Sequence, residues 1–201
     1  HALQHPAPTK TQHAPAKAEP IKYGAKVQRS IKDTTPLPST EKIKKIQRTV
    51  GIFNWYSRAS DPTMAATRST IGTRQAKATE QVAKETAWFL DYCHTHPNAG
   101  VRFLASDMIL ALESDASYQS EYNSKSRAGG HHFLTRLNDP NFNTGAILTL
   151  SKIIKHAMSS ASEAETGALY YGCKRAIPYQ VTLEEMGHPQ SRTPVTTNNN
   201  T

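Results

Sequence analysis

The sequence predicts an α+β protein, with a small helical layer followed by an α/β unit built on a mixed sheet. Three observations carry this reading. Across residues 40–96 apolar side chains recur at three- and four-residue spacing, as one face of a helix requires. Beyond Gly100 they gather into short runs rich in Ile, Val, Phe and Leu, the pattern of strands. Residues 160–176 then return to helical spacing, and residues 194–197 begin one more strand.

Each element has its own signal. Residues 1–39 read as a tail, flexible or docked, because Pro6, Pro8, Pro15, Pro20, Pro36 and Pro38 fall there among Ala, Lys, Thr and His. Such a composition buries too little apolar surface to offset the entropy of ordering. Residues 23–28 form a candidate ordered island within it. The first helix starts behind Ser39 as N-cap with Glu41 in its first turn, carries Ile43, Ile46, Val50 and Phe53, and ends near Tyr56. Asp61-Pro62 interrupts it, and a second helix begins with Met64, Ala65 and Ala66. A third covers 76–93 with Val82, Ala83, Thr86, Phe89, Leu90 and Cys93 along one face, stopping before His96-Pro97. Residues 101–104 and 108–114 read as strands, the second apolar on both faces and therefore central. Residues 131–137 and 146–153 read as two more, separated by Asn138-Asp139-Pro140-Asn141-Phe142-Asn143. The predicted division is a tail over 1–39, a helical region over 40–97 and an α/β domain over 98–201.

A net charge of +8 suits a polyanionic partner, although the Lys and Arg residues are diffuse. Lys42, Lys44, Lys45 and Arg48 make a basic stretch on the first helix, open to phosphate contacts or to simple solvation. Cys93 and Cys173 lack the paired spacing of a zinc site and are expected as reduced core residues of an intracellular protein. No apolar run approaches the ~20 residues of a membrane span, and no charged-then-apolar leader opens the chain. A soluble protein is expected. The first residue is His1 rather than Met, so an excerpt of a longer chain is expected too.

Two acidic clusters are the chemical signal: Leu112-Glu113-Ser114-Asp115-Ala116-Ser117-Tyr118 closing an apolar run, and Ser159-Ser160-Ala161-Ser162-Glu163-Ala164-Glu165 opening a helical one. A carboxylate at the end of a buried strand and another on a nearby helix can share divalent ions, and two such ions drive in-line phosphodiester hydrolysis. Asp115 is the first candidate; a turn begun with Ser117 is the alternative. Glu163 and Glu165 lie about 200° apart around a helix, so only one faces a given point. Ser159, Ser160 and Ser162 read as caps or exposed polar positions, with no His placed to activate them. His131 and His132 fall on opposite faces of a strand, one expected buried and one exposed. Tyr118, Tyr122 and Arg127 either touch a nucleic-acid backbone or cover a sheet edge.

Arg127-Ala128-Gly129-Gly130-His131-His132-Phe133-Leu134, then Gly145-Ala146-Ile147-Leu148, the 159–165 cluster and Leu183-Glu184-Glu185-Met186-Gly187 follow one another in an informative order. It resembles the end of copia-type LTR retrotransposon polyproteins, namely the reverse transcriptase connection region plus the ribonuclease H domain, over residues 40–201. The resemblance implies connection- or thumb-like helices over 40–97 and an incomplete, C-terminally truncated ribonuclease H-like domain over 98–201. It implies removal of the RNA strand from RNA–DNA hybrids by two-metal hydrolysis, with Mg²⁺ or Mn²⁺ as cofactor. The implied ligands are Asp115, Glu165 and the position of Asn198. Glu165 is chosen because the family's Glu precedes a short residue pair and an Ala-Leu, here Glu165-Thr166-Gly167-Ala168-Leu169; Glu163 is left to favour the helix N-terminus. Where the family carries Thr-Asp-Asn, this chain reads Thr197-Asn198-Asn199, and a fourth carboxylate has no counterpart. The implied partners are the hybrid and an upstream polymerase domain, whose paired aspartates after a Tyr do not occur here, in a virus-like particle in the cytoplasm or in the nucleus. Impaired cleavage is expected, with a catalytically inactive nucleic-acid-binding remnant as the alternative.

Overall fold

The structure is a computed structural model that describes residues 3–17 and 33–197. The chain divides into two compact units, His1–Gly100 and Val101–Thr201. Residues 23–28 and Asn198 lie outside the described residues.

The first unit is helical. Its helices are α1 (Thr40–Ala59), α2 (Ala65–Arg74) and α3 (Glu80–Thr95), with single 3₁₀ turns at Pro62–Met64 and Gln75–Lys77. Ser39 caps α1 by accepting from the Lys42 N–H, and Thr79 caps α3 by accepting from that of Val82. The third helix therefore starts later than its periodicity suggested, because the Thr79 cap fixes the start. Ile46, Met64, Ile71, Val82, Phe89 and Tyr92 form the core, with Ile43, Val50 and Phe53 packed partly buried against it. Residues 3–17 dock along α3: His5 donates to Asp91 at 2.7 Å, the Gln12 N–H to Thr95 Oγ1 at 3.0 Å, and Trp88 Nε1 to Ala14 O at 3.0 Å. Cys93 is partly buried, and burial, with the charge of Asp61, pushes its thiol up to about 12.

The second unit is a four-stranded sheet with one long helix. Its elements are β1 (Ile109–Glu121), β2 (Lys125–Thr135), β3 (Ala146–Ile153), α4 (Ala161–Glu185) and β4 (Val195–Thr197). The sheet order is β3-β2-β1-β4, with β1 antiparallel to β2, β2 antiparallel to β3, and β4 parallel to β1. The third strand spans the residues its pattern indicated, and β1 is central as its doubly apolar start requires.

Three expectations are corrected. Residues 101–104 are not a strand: Phe103 and Leu104 are exposed, and the positive φ of 60° at Met108 turns the chain before β1 begins. The second strand starts at Lys125, six residues early, with Gly129 and Gly130 inside the ladder opposite Asp115 and Ser114. The last helix runs on through Pro178 to Glu185. Pro178 is exposed, so the carbonyl it leaves without an N–H partner faces the solvent side of the helix.

Small residues set how closely α4 lies on the sheet. Ala164, Ala168, Gly172 and Ala176 recur every fourth residue, and all are buried. They face Leu110, Ala116 and Ala128, and a Cβ at Gly172 would stand 2.8 Å from Leu112 Cδ2. Cys173, next to that stripe, is exposed, which corrects its expected place in the core. Among the described residues no helix is long and apolar enough to cross a membrane.

Candidate metal-ligand site

Asp115 sits within β1 rather than at its end, opposite Gly129 of β2, because Ala116 and Ser117 continue the ladder against Ala128 and Arg127. The parallel pairing with β4 runs Leu112–Val195, Glu113–Thr196 and Ser114–Thr197, and its described part stops one residue before Asp115. The Leu112 N–H donates to Pro194 O at 3.0 Å, so every second N–H of β1 is directed to the β4 side. The N–H of Ala116 is the next such group beyond the described end of β4. It donates to Glu165 Oε1 at 3.3 Å.

Glu165 reaches that N–H from the first turns of α4. Ser160 caps the helix by accepting from the Glu163 N–H at 3.1 Å, and Glu163 Oε2 accepts from both the N–H and the hydroxyl of Ser159 at 2.6 Å. These two bonds hold the Glu163 carboxyl below its usual range. Glu163 is thus occupied in capping, and Glu165 lies on a different side of the helix, as two residues' rotation requires.

Burial pushes the Glu165 carboxyl above its usual range; the Ala116 N–H opposes the shift, and the charge of Asp115 adds to it. Glu165 Oε2 is buried and accepts no hydrogen bond among the described residues. An orphaned buried carboxylate oxygen is costly unless a partner completes it. Mg²⁺ is commonly held by one or two carboxylates together with waters and substrate phosphate oxygens, so Glu165 is a donor of the kind a hard cation takes, while the Asp115 side chain belongs to the face of β1 turned away from α4. Among the described residues no group of three or more His, Cys, Asp or Glu side chains is arranged to hold a metal ion.

The surroundings are polar and open. Side chains alternate along β1, so Glu113, Asp115 and Ser117 share the face turned away from α4. Gly129 opposite Asp115 carries no side chain, and a Cβ there would meet only Asp115 O at 3.5 Å. Across this face Arg127 Nε donates to Glu121 Oε1 at 2.7 Å and Nη1 to Ser151 Oγ at 2.9 Å, a buried pair that braces the irregular end of β1. Tyr118 donates to Ser159 O at 3.0 Å, tying β1 to the start of α4; the side chain of Tyr122 is outside the described part.

The two histidines do face opposite ways. His132 is fully buried and its Nε2 donates to Gly172 O at 2.9 Å, whereas His131 is half-buried, with Nδ1 at 3.1 Å from Thr149 Oγ1. Burial lowers the His132 pKa, against the bond to Gly172. Neither stands beside Glu165. Sequence reasoning passed over the Ala116 N–H and the Ser151 hydroxyl, since strand pairing alone decides that either is near the pair. No family model, curated protein or solved structure matches this chain.

Proposed function

We propose that this chain is part of a copia-type retrotransposon reverse transcriptase. Its second unit is a ribonuclease H-like domain that acts on the RNA strand of RNA–DNA hybrids, and cleavage is impaired in the chain as it stands. The observation that carries this reading is the Glu165 carboxylate, bonded to the Ala116 N–H, with one buried oxygen orphaned among the described residues and its pKa raised by burial and, less, by the charge of Asp115. The order of three antiparallel strands, a helix and a fourth strand parallel to the first supports it, because the resemblance implies the same order.

In this reading Asp115 and Glu165 hold Mg²⁺ or Mn²⁺. The bound ions supply charge opposite the scissile phosphate and acidify a water. The chain's own contribution is positional: β1 is clamped between two strands, and the α4 cap fixes where Glu165 emerges. Asn198 offers a neutral oxygen where the family carries a carboxylate, which weakens the hold on two dications. That same residue favours a second reading, a binding module that has lost cleavage, in which the charge of +8 engages phosphates alone.

Gel-resolved cleavage of a labelled RNA strand in a hybrid with Mg²⁺ is the test. The chain as it stands leaves the hybrid largely intact. Asn198→Asp, in a chain extended to the domain length the resemblance implies, recovers cleavage, and Asp115→Asn or Glu165→Gln then removes it. Full activity of the unmodified chain, or activity that survives loss of Asp115, refutes the assignment. Steeply salt-dependent binding with no cleavage in the extended chain selects the second reading.

A further inference from the structure

In the first unit a cavity of about 290 Å³ opens between α1 and α3, with His5 of the docked N-terminal segment on its wall. Its walls are largely apolar, formed by Ile46, Ala83, Ala87 and Leu90, while Lys42, Lys45 and Lys84 stand around it. Among the described residues of its lining Glu80 is the one acidic group, so their formal charge is +2, three lysines less one carboxylate.

The three lysines are not equivalent. Lys42 is held by both oxygens of Glu80, at 2.9 and 3.0 Å. Lys45 makes only a contact of 3.5 Å to Gln4 O, and Lys84 makes no ion pair or hydrogen bond among the described residues. The His5 ring is anchored to Asp91 at 2.7 Å, so the segment that helps enclose the cavity is tied down. Two ammonium groups without carboxylate partners beside an apolar hollow suit a ligand that is anionic at one end and hydrocarbon at the other.

We propose that this cavity binds a small amphipathic carboxylate, its hydrocarbon body against Ile46, Ala83, Ala87 and Leu90 and its carboxylate between Lys45 and Lys84. The volume lies near the lower end of small-molecule sites, whose walls are mostly apolar with a few polar groups fixing orientation. A nucleic-acid backbone is the poorer occupant. It would satisfy the lysines but bury polar sugar and phosphate against apolar walls, a cost with no compensating bond.

Calorimetric titration of the full chain with decanoate, decanol, inorganic phosphate and an oligonucleotide tests this. Decanoate is expected to bind, with decanol and phosphate each weaker by about tenfold or more, since each lacks one half of the recognition. Lys45→Glu combined with Lys84→Glu is expected to weaken decanoate by about tenfold or more and leave far-ultraviolet dichroism unchanged, as both side chains project from helix surfaces. The comparison of decanoate with decanol uses the unmodified chain and decides the matter even if that variant misfolds. Absence of decanoate binding, equal binding of decanol, or displacement of decanoate by phosphate or by the oligonucleotide at equal potency overturns the proposal. Failure here leaves the ribonuclease H reading untouched, because no residue of the cavity belongs to the second unit.

Discussion

Gly172→Ala should destabilise the second unit, although the same change in an open helix stabilises. Replacing Gly by Ala in a helix interior gains about 1 kcal/mol from backbone entropy alone. At Gly172 the new Cβ would stand 2.8, 3.2 and 3.6 Å from Leu112 Cδ2, Cδ1 and Cγ. Leu112 is 1 % exposed and cannot swing away, so either its rotamer distorts or α4 lifts from the sheet. Overpacking of this kind costs about 1–3 kcal/mol, leaving a net loss of up to about 2 kcal/mol. Gly51 on α1 is the control, since a Cβ there meets nothing within 4 Å. Gly51→Ala should gain about 0.5–1 kcal/mol, equivalent to roughly 4 °C in Tm for a unit of this size. Both tryptophans, Trp55 and Trp88, lie in the first unit, so their fluorescence reads Gly51→Ala. Hydrogen exchange at the β1 amides reads Gly172→Ala. Faster exchange at Ala116 in particular would show Glu165 pulled off its N–H. If Gly172→Ala slows β1 exchange as Gly51→Ala slows that of α1, the close approach of α4 to Leu112 is wrong.

Glu121→Gln removes the carboxylate from a buried charge pair whose side chains are 9 % and 8 % exposed; it should cost about 3–5 kcal/mol, and combined Glu121→Met and Arg127→Met should cost much less in the same urea titration. His132 is held neutral, its folded pKa below the ordinary 6.5, so the second unit should lose stability as pH falls below about 6.5, where the unfolded chain takes up a proton the folded one refuses. A thermal melt series of His132→Gln should lack that slope. Glu165 works in the opposite sense, because its folded pKa is raised above 4.5 and the folded state binds more protons there. Its burden should appear as pH rises from about 4.5 through the folded value, and Glu165→Gln should remove that slope and blunt any rise in Tm produced by Mg²⁺.

Local signals carried much of the fold. Ser39, Glu41 and the Ile43-Ile46-Val50 spacing place the start of α1 to within a residue, and the start of α4, read at residue 160, falls one residue from Ala161. The misses have a common physical cause, which is pairing between distant segments. Gly129-Gly130 is a turn signal in isolation, yet with β1 alongside it becomes the clear floor opposite Asp115. Pro178 breaks a helix in isolation, yet α4 is already anchored on the sheet by Ala168, Gly172 and Ala176 before it and Leu183 after it. The 101–104 run is apolar enough for a strand but finds no ladder; its Leu104 N–H bonds singly to Thr144 O at 2.8 Å. Asp115 and Glu165 were named together from the sequence; the bond from the Ala116 N–H to Glu165 was not legible, since fifty positions of chain separate Glu165 from Asp115 and the packing of α4 on β1 sets the bond.

The position of Glu165 is fixed by a bond from the sheet. The Ala116 N–H donates to Glu165 Oε1 at 3.3 Å, which ties the first turns of α4 to β1. That bond holds one oxygen and leaves the other buried without a partner among the described residues. The small-residue stripe keeps α4 low enough for the reach, and the Ser160 cap keeps Glu163 from competing for it. Burial raises the Glu165 pKa, and a divalent ion bound to its carboxylate would lower it. Titration of the Glu165 carboxyl by carbon-detected NMR, without and with Mg²⁺, should show the midpoint move down on adding the ion; a midpoint that stays put would mean that the orphaned oxygen is not a metal ligand.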